Sequence, residues 1–202
     1  ADPIIRLAEF GNRQLRRANL LSMGAGLGEA AMVFLPALAV AAFGVTESRA
    51  SFLLLPVVLA VAIGSPLGGR LLDSHGPRPV ILGGTLLLTL GMLLLGLLGT
   101  DFNAFVIAGI CIGFGLASLL GAPIRYIVLT ETNEGERAAG QGLLTIATGV
   151  GQLISGALIG AVAASQGGGV VGYTVSYLFV AGAGVVLIFL ALGLKGKARQ
   201  GV

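Results

Sequence analysis

The stretch VILGGTLLLTLGMLLLGLLG, residues 80–99, contains twenty residues and no charged side chain. An α-helix rises about 1.5 Å per residue, so a helix of this length spans about 30 Å, the thickness of the hydrocarbon core of a bilayer. Glycine recurs along the stretch, as it does in membrane helices, where small residues let neighbouring backbones approach closely. The stretch therefore predicts a membrane-spanning helix over residues 80–98.

The rest of the chain has the same character. Of its 202 residues, 55% are hydrophobic and 10% are charged, whereas a soluble domain carries about 25% charged residues. The apolar runs are continuous and about twenty residues long, unlike the alternating ten-residue strands of a membrane β-barrel. We therefore predict an all-α integral membrane protein, a bundle of six transmembrane helices. The predicted spans are residues 20–43, 51–72, 80–98, 104–128, 139–163 and 173–194.

The positions of the basic residues predict the orientation of these spans. Eleven of the twelve Lys and Arg residues fall on one side of the predicted membrane, and only Arg49 falls on the other. Because cytoplasmic loops are enriched in Lys and Arg, both termini are expected in the cytoplasm of a multi-pass protein of the cell membrane, with a prokaryotic inner membrane as the expected setting. The eleven are Arg6, Arg13, Arg16, Arg17, Arg70, Arg78, Arg125, Arg137, Lys195, Lys197 and Arg199.

The domain organisation follows from the same pattern. Residues 1–18 are basic and amphipathic, and we interpret them as a cytoplasmic linker that lies on the membrane surface. Residues 19–194 form the transmembrane bundle, and residues 195–202 form a basic cytoplasmic tail. The net charge of +3 does not indicate nucleic-acid binding, because the basic residues lie at helix ends and not in one patch.

Glu29 is a carboxylate near the middle of the first predicted span. A charged side chain at the bilayer centre costs at least about 2.5 kcal/mol, and residues of this kind usually have a function. We predict that Glu29 binds a proton or a cationic substrate. The alternative is a protonated Glu29 that hydrogen-bonds across helices without a role in transport. Arg125, at the cytoplasmic end of the fourth span, is interpreted as a side chain that extends to the membrane surface.

The fifth span carries two stripes at helical spacing. The polar stripe could hydrogen-bond across a helix interface or line a water-filled cavity, and the sequence leaves both possibilities open. Beside it runs a glycine stripe, for which we expect ordinary close packing of helices. The polar stripe comprises Gln141, Thr145, Thr148, Gln152 and Ser155. The glycine stripe comprises Gly142, Gly149, Gly156 and Gly160.

Several classes of protein are not indicated. The single His lies in a predicted loop, and no Ser/His pair, paired aspartates or metal-ligand cluster falls at membrane depth, so we expect neither an enzyme nor a metal site. A phosphate-binding G-x-x-x-x-G-K-[ST] loop is absent, which argues against ATP-driven transport. No cofactor is expected.

The segment GGRLLDSHGPRP, residues 68–79, joins the second and third predicted spans. Gly69 would let another helix approach, and Gly76 would permit a tight reversal before a proline that cannot continue the preceding helix. Asp73, at the last turn of the second span, could complement the N-terminus of a neighbouring helix. Arg78 could pair with Asp73 or with the membrane surface. We interpret the segment as an electrostatic latch.

This segment resembles the signature loop of the major facilitator superfamily, G-x-L-A-D-x-x-G-x-[RK]-[RK]. Leu72 replaces the small residue of that pattern, and Pro79 replaces its second basic residue. Residues 1–20 resemble the basic linker that enters the seventh span of these proteins, and residues 133–162 resemble the entry to the eleventh. The matching positions of the loop are Gly69, Leu71, Asp73, Gly76 and Arg78.

The resemblance implies the C-terminal six-helix half of a major facilitator fold, closest to the fourteen-span multidrug–proton antiporters. It implies proton-coupled export of small organic molecules by alternating access, with a second six-helix bundle in the same polypeptide or in a second chain. In this arrangement the first and fourth spans line the cavity, the second and fifth pack against the other bundle, and the third and sixth face lipid. The alternative is a non-transporting half-size subunit that scaffolds or regulates a larger membrane complex.

Overall fold

The computed structural model describes residues 12–196 of the chain. Within this range the secondary structure is helical, with nine α-helices and a short 3₁₀ turn at Glu134–Glu136. The helices are α1 (Arg13–Val33), α2 (Leu35–Phe43), α3 (Glu47–Phe52), α4 (Leu55–His75), α5 (Pro77–Leu98), α6 (Phe102–Leu120), α7 (Ala122–Glu131), α8 (Arg137–Ser165) and α9 (Val170–Leu192).

These helices build six segments that are long and apolar enough to cross a membrane, as the sequence predicts. Three of the segments consist of two helices each, namely α1 with α2, α3 with α4, and α6 with α7. Arg13 already begins α1, and Leu15 and Ala18 are buried, so the end of the predicted linker is part of the first span. Hydropathy marks only the apolar centre of such a helix, because polar side chains at its ends reach the interface. Residues 1–11 and 197–202 of the predicted linker and tail lie outside the described residues.

Prolines divide the first, second and fourth spans, and the break in the second lies before Pro56, at the start of α4. Pro36 lies at the start of α2, directly after α1 ends at Val33, and Pro123 lies at the start of α7, after α6 ends at Leu120. Proline has no backbone N–H, so the helical hydrogen-bond ladder is interrupted at each of these points. The predicted spans were drawn as continuous, and the breaks are an addition from the structure.

The third span is not simply a lipid-facing helix. One face of α5 is buried against α6 and α9, where Ile81, Leu88 and Leu95 are at most 3% exposed. Its opposite face, which includes Leu90 and Leu97, is exposed. The almost uniform Leu and Gly sequence hides this difference, because both faces are equally apolar.

Close packing of α1 on α8 depends on two glycines. A Cβ at Gly26 would collide with the Thr148 carbonyl of α8, and a Cβ at Gly151 would collide with the Met23 carbonyl of α1. Backbone contacts at this distance require glycine on both helices. A glycine also lets α4 pack closely on α6, since a Cβ at Gly64 would lie 2.8 Å from the Ala117 side chain.

The glycine stripe behaves differently, because it makes no close helix contact among the described residues. A Cβ added at any of its members would meet no atom within 4 Å in the described part of the chain. The stripe is therefore not packed against another helix of this bundle, and Gly149 borders a cavity described below. The stripe also lies on one of the two least buried spans. In the second and fifth spans 22% of the most apolar stretch is buried, compared with 44% in the third. The members are Gly142, Gly149, Gly156 and Gly160.

Candidate functional site

A cavity of 410 Å³ lies between the first, fourth and fifth spans. Leucine and isoleucine side chains of α6 and α7 form an apolar wall, and α8 contributes most of the polar groups. Four of the five polar-stripe residues line the cavity. The lining residues are Ser22, Glu29, Leu119, Leu120, Ile124, Arg125, Gln141, Leu144, Thr145, Thr148, Gly149 and Gln152.

Glu29 of α1 meets Gln152 of α8 in this cavity. The Gln152 Nε2 donates a hydrogen bond of 2.7 Å to the Glu29 Oε2, and both side chains are half-buried. This contact bridges residues 123 positions apart and joins the spans that the Gly26 and Gly151 packing brings together. The hydrogen bond holds the carboxylate of α1 against the amide of α8.

A second glutamine contact lies at the other end of the cavity. The Gln141 Nε2 donates a hydrogen bond of 3.2 Å to the Arg125 carbonyl of α7. Gln141 and Gln152 are eleven residues apart on α8, so the two contacts are separated by about 16 Å along the helix axis. The cavity therefore has a carboxylate at mid-span and an arginine near the helix ends. Arg125 thus lines this cavity, a position that we did not predict for it.

The hydroxyl groups between these two ends point their protons back to their own helix. Thr148 donates to the Leu144 carbonyl at 2.9 Å, and Thr145 donates to the Gln141 carbonyl at 3.2 Å. Their oxygen lone pairs therefore remain as acceptors on the cavity side. Opposite them lie the apolar side chains of Leu119, Leu120 and Ile124, so the cavity is amphipathic.

Ser155 is separate from the other members of the polar stripe. Its side chain is buried at 1% exposure, and it does not line the cavity. Its Oγ forms no hydrogen bond within the described part of the chain. Four residues of the stripe thus line the cavity, and two of them, Gln141 and Gln152, also hydrogen-bond to other helices, whereas Ser155 is packed inside the bundle.

Glu29 also borders a second cavity. This cavity, of 250 Å³, lies between the first, second and fourth spans, and Ser65 of α4 is its polar neighbour to Glu29. Gly121, at the break between α6 and α7, lines it as well. The carboxylate and Leu120 contribute to both cavities, so Glu29 lies on the wall between them.

The signature loop is much shorter than the sequence suggested. α4 continues to His75 and α5 begins at Pro77, so Gly76 alone connects them, with φ at +84°. This left-handed conformation favours glycine, in agreement with the predicted reversal. Asp73 lies in the last turn of α4 and Arg78 in the first turn of α5, and both are exposed.

Gly69 does not have the role we expected for it inside this bundle. A Cβ at Gly69 would meet no atom within 4 Å among residues 12–196, whereas Gly68 faces Ser118 of α6. Any close helix approach at Gly69 must therefore involve chain beyond this bundle.

A polar cluster that the sequence analysis missed joins the ends of the first, fourth and sixth spans. Glu131, the last residue of α7, accepts a hydrogen bond of 2.9 Å from the Asn12 amide and forms an ion pair of 3.3 Å with Lys195. The Lys195 backbone N–H donates to the Gln14 side chain at 3.0 Å, and Arg17 donates to the Gly193 carbonyl. We call these residues the end cluster. Its contacts cross up to 181 positions of sequence, so no local pattern could have revealed them.

Comparison with known proteins agrees with this architecture. The chain matches the Major Facilitator Superfamily over residues 18–200. It is 35% identical over 137 residues to the uncharacterised MFS-type transporter YfiU of Bacillus subtilis, covering 66% of this chain and 26% of that protein.

Two further relatives carry multidrug names. The multidrug transporter protein MdtP of Bacillus subtilis is 30% identical over 132 residues, which is 65% of this chain and 24% of MdtP. The multidrug resistance protein Stp of Mycobacterium tuberculosis is 33% identical over 123 residues, 60% of this chain and 23% of Stp. The aligned part thus spans about a quarter of each relative, and none of the three has an enzyme name. By the match over nearly its whole length, this chain is a multi-pass membrane protein that belongs to the major facilitator superfamily.

Proposed function

We propose that this chain forms the C-terminal six-helix half of a secondary active transporter that exports small organic molecules in exchange for protons. The observation that carries the proposal is the Glu29 carboxylate, which lies at mid-span, lines a 410 Å³ cavity and accepts a hydrogen bond from Gln152. A carboxylate at this depth is costly unless it is used. The multidrug names of MdtP and Stp support drug-like molecules as the substrate class.

Glu29 would couple the two fluxes through its charge. In the ionised form it accepts the Gln152 hydrogen bond and attracts a cationic group into the cavity. In the protonated form it carries no charge, so a cationic substrate is released and the Gln152 contact weakens. Because Glu29 lies on the wall between two cavities, its proton could be exchanged on one side while the substrate occupies the other.

A second six-helix bundle is the expected partner. The first and fourth spans, which line the cavity, are interrupted at prolines, as is the second span. The glycine stripe on α8 and the low burial of the second and fifth spans leave a surface on which another bundle could pack. Two such bundles around a midplane site would alternate access by rocking against each other. The signature loop, with Asp73 and Arg78 exposed, would latch the bundles in one state.

The proposed setting is the cell membrane, with both termini of the chain in the cytoplasm. Eleven of the twelve Lys and Arg residues lie on the side of the predicted termini. Substrate would then enter the cavity from the cytoplasm, near Arg125 and Gln141, and move toward Glu29.

Proton-coupled efflux from liposomes containing the native protein tests the proposal. We expect Glu29→Gln to abolish substrate-driven proton movement, because glutamine cannot carry the proton, and Glu29→Asp to retain part of it. The matched control is Glu134→Gln, which removes a carboxylate from the connection before α8, outside both cavities. If Glu29→Gln transports with full coupling, Glu29 is not the coupling residue. If the wild-type protein moves neither protons nor substrate and copurifies with a fixed protein partner, the scaffold alternative is correct.

A further inference from the structure

The cavity contains two opposite charges that do not neutralise each other. Glu29 and Arg125 both line it, but neither takes part in an ion pair within residues 12–196. The Glu29 carboxylate contacts Gln152, and the Arg125 backbone contacts Gln141, about 16 Å away along α8. Because the two side chains are not paired with each other, each charge is available to a ligand.

The Glu29 and Arg125 side chains also differ in the hydrogen bonds that they form. Glu29 accepts one neutral hydrogen bond, from Gln152. The Arg125 guanidinium, with five N–H donors, forms no hydrogen bond or ion pair in the described part of the chain, and Gln141 contacts only its backbone carbonyl. A guanidinium in this position is suited to binding a carboxylate or phosphate through two parallel hydrogen bonds.

We infer that the preferred substrate is amphoteric, an elongated amphipathic molecule with a cationic group that binds Glu29 and an acidic group that binds Arg125. The wall between the two ends matches such a molecule, since Thr145 and Thr148 line one side and Leu119 and Ile124 the other. The inference rests on the proposed function and adds the substrate class. A molecule with only a cationic group would leave Arg125 without an anion, and one with only an acidic group would leave Glu29 without a cation.

An anion on Arg125 could also come from a lipid headgroup, because this residue lies near the end of its span. The shared chemistry is a carboxylate or phosphate oxygen that accepts from the guanidinium. A lipid phosphate would occupy Arg125 in every state and would not change the relative affinity for different substrates. A substrate carboxylate would make affinity depend on both Arg125 and the acidic group of the ligand.

Binding of three xanthene dyes with one aromatic frame tests the inference. Tetramethylrhodamine carries a cationic and an acidic group, its methyl ester carries only the cationic group, and fluorescein carries no cationic group. Fluorescence anisotropy is measured on the native protein in lipid nanodiscs, made once with neutral and once with anionic lipid. We expect the amphoteric dye to bind about tenfold more tightly than either relative, the gain of about one charge-assisted contact.

The variants separate the two ends of the site. Arg125→Gln should weaken the amphoteric dye about tenfold and leave its methyl ester unchanged, and Glu29→Gln should weaken both cationic dyes and leave fluorescein unchanged. Arg137→Gln, at the start of α8 and outside the cavity, is the matched control. Equal affinities of the amphoteric dye and its ester would overturn the inference. An Arg125→Gln variant that binds the amphoteric dye like wild type would also overturn it. If this equality appears only in anionic nanodiscs, Arg125 holds a lipid phosphate, and the inference is overturned as well.

The outcome for the proposed function remains distinguishable. If the protein exports the methyl ester and the amphoteric dye with equal efficiency in exchange for protons, the proposed transport function is correct and the amphoteric preference is wrong. If both dyes bind as inferred but no proton movement accompanies efflux, the substrate class stands and proton coupling fails.

Discussion

Glu29 shows what a single residue in a sequence does and does not reveal. Its position in an apolar run was enough to select it, because a carboxylate at membrane depth is costly. Its partner Gln152 belonged to a stripe for which the sequence left two roles open. Only the packing of α1 on α8 decides that Gln152 reaches Glu29, at 2.7 Å, while Ser155 of the same stripe is buried elsewhere.

Glu131 is a residue whose role the sequence did not show, and it carries the first prediction. Glu131→Ala removes the acceptor of both Asn12 and Lys195. Because the Lys195 side chain is 71% exposed, the ion pair contributes little, and most of the loss is the hydrogen bond to a partly buried carboxylate. We expect a decrease of about 1 kcal/mol in the free energy of unfolding.

Denaturant unfolding of the purified protein in detergent measures this change. Glu134→Ala is the control, since its ion pair with Arg137 is 3.7 Å long and solvent-exposed, and it should leave the midpoint unchanged. Raising the ionic strength should reduce only the ion-pair part of the Glu131 effect. Equal midpoints for Glu131→Ala and wild type would mean that the end cluster does not hold the spans together.

At the scale of the helices, the apolar runs predict the number and approximate length of the spans but not which spans are neighbours. Apolar runs of about twenty residues are a direct consequence of bilayer thickness. The pairing of α1 with α8 and of α5 with α9 has no such local cause, since it follows from which small residues meet across each interface. Glycine is the clearest case, because Gly151 and Gly149 lie on one helix but only Gly151 meets another backbone.

Gly151 therefore provides the second prediction. Gly151→Ala places a Cβ on the Met23 carbonyl of α1, and backbone cannot move aside as a side chain can. We expect a loss of about 1–3 kcal/mol in stability, the usual effect of overpacking. Thermal denaturation in detergent, followed by loss of monodisperse protein, measures it.

Gly182→Ala on α9 is the matched control, because a Cβ there meets no atom within 4 Å among the described residues. Alanine is also the better helix former, so this change should be neutral or slightly stabilising. If both alanine variants melt together with wild type, the α1–α8 contact is not as close as the structure indicates.

The whole molecule is organised by the asymmetry of its charge, which carries the last prediction. With six spans, both described chain ends lie on one side of the membrane, together with the α4–α5 and α7–α8 connections. The α8–α9 connection lies on the other side. Within residues 12–196, Arg49 is the one basic residue on that other side. Since positive residues are retained in the cytoplasm, the side of the chain ends should face inward.

Single-cysteine labelling tests this orientation in a Cys111→Ala background, where each variant has one thiol. Glu134→Cys and Gln166→Cys place it in exposed connections on opposite sides of the bundle. A membrane-impermeant maleimide should label Gln166→Cys in intact cells and Glu134→Cys only in inverted vesicles. The opposite pattern would invert the protein, and labelling of both sites in intact cells would contradict a uniform orientation. An inverted bundle would open Arg125 and the 410 Å³ cavity toward the exterior, so the same experiment decides from which side a substrate meets Glu29.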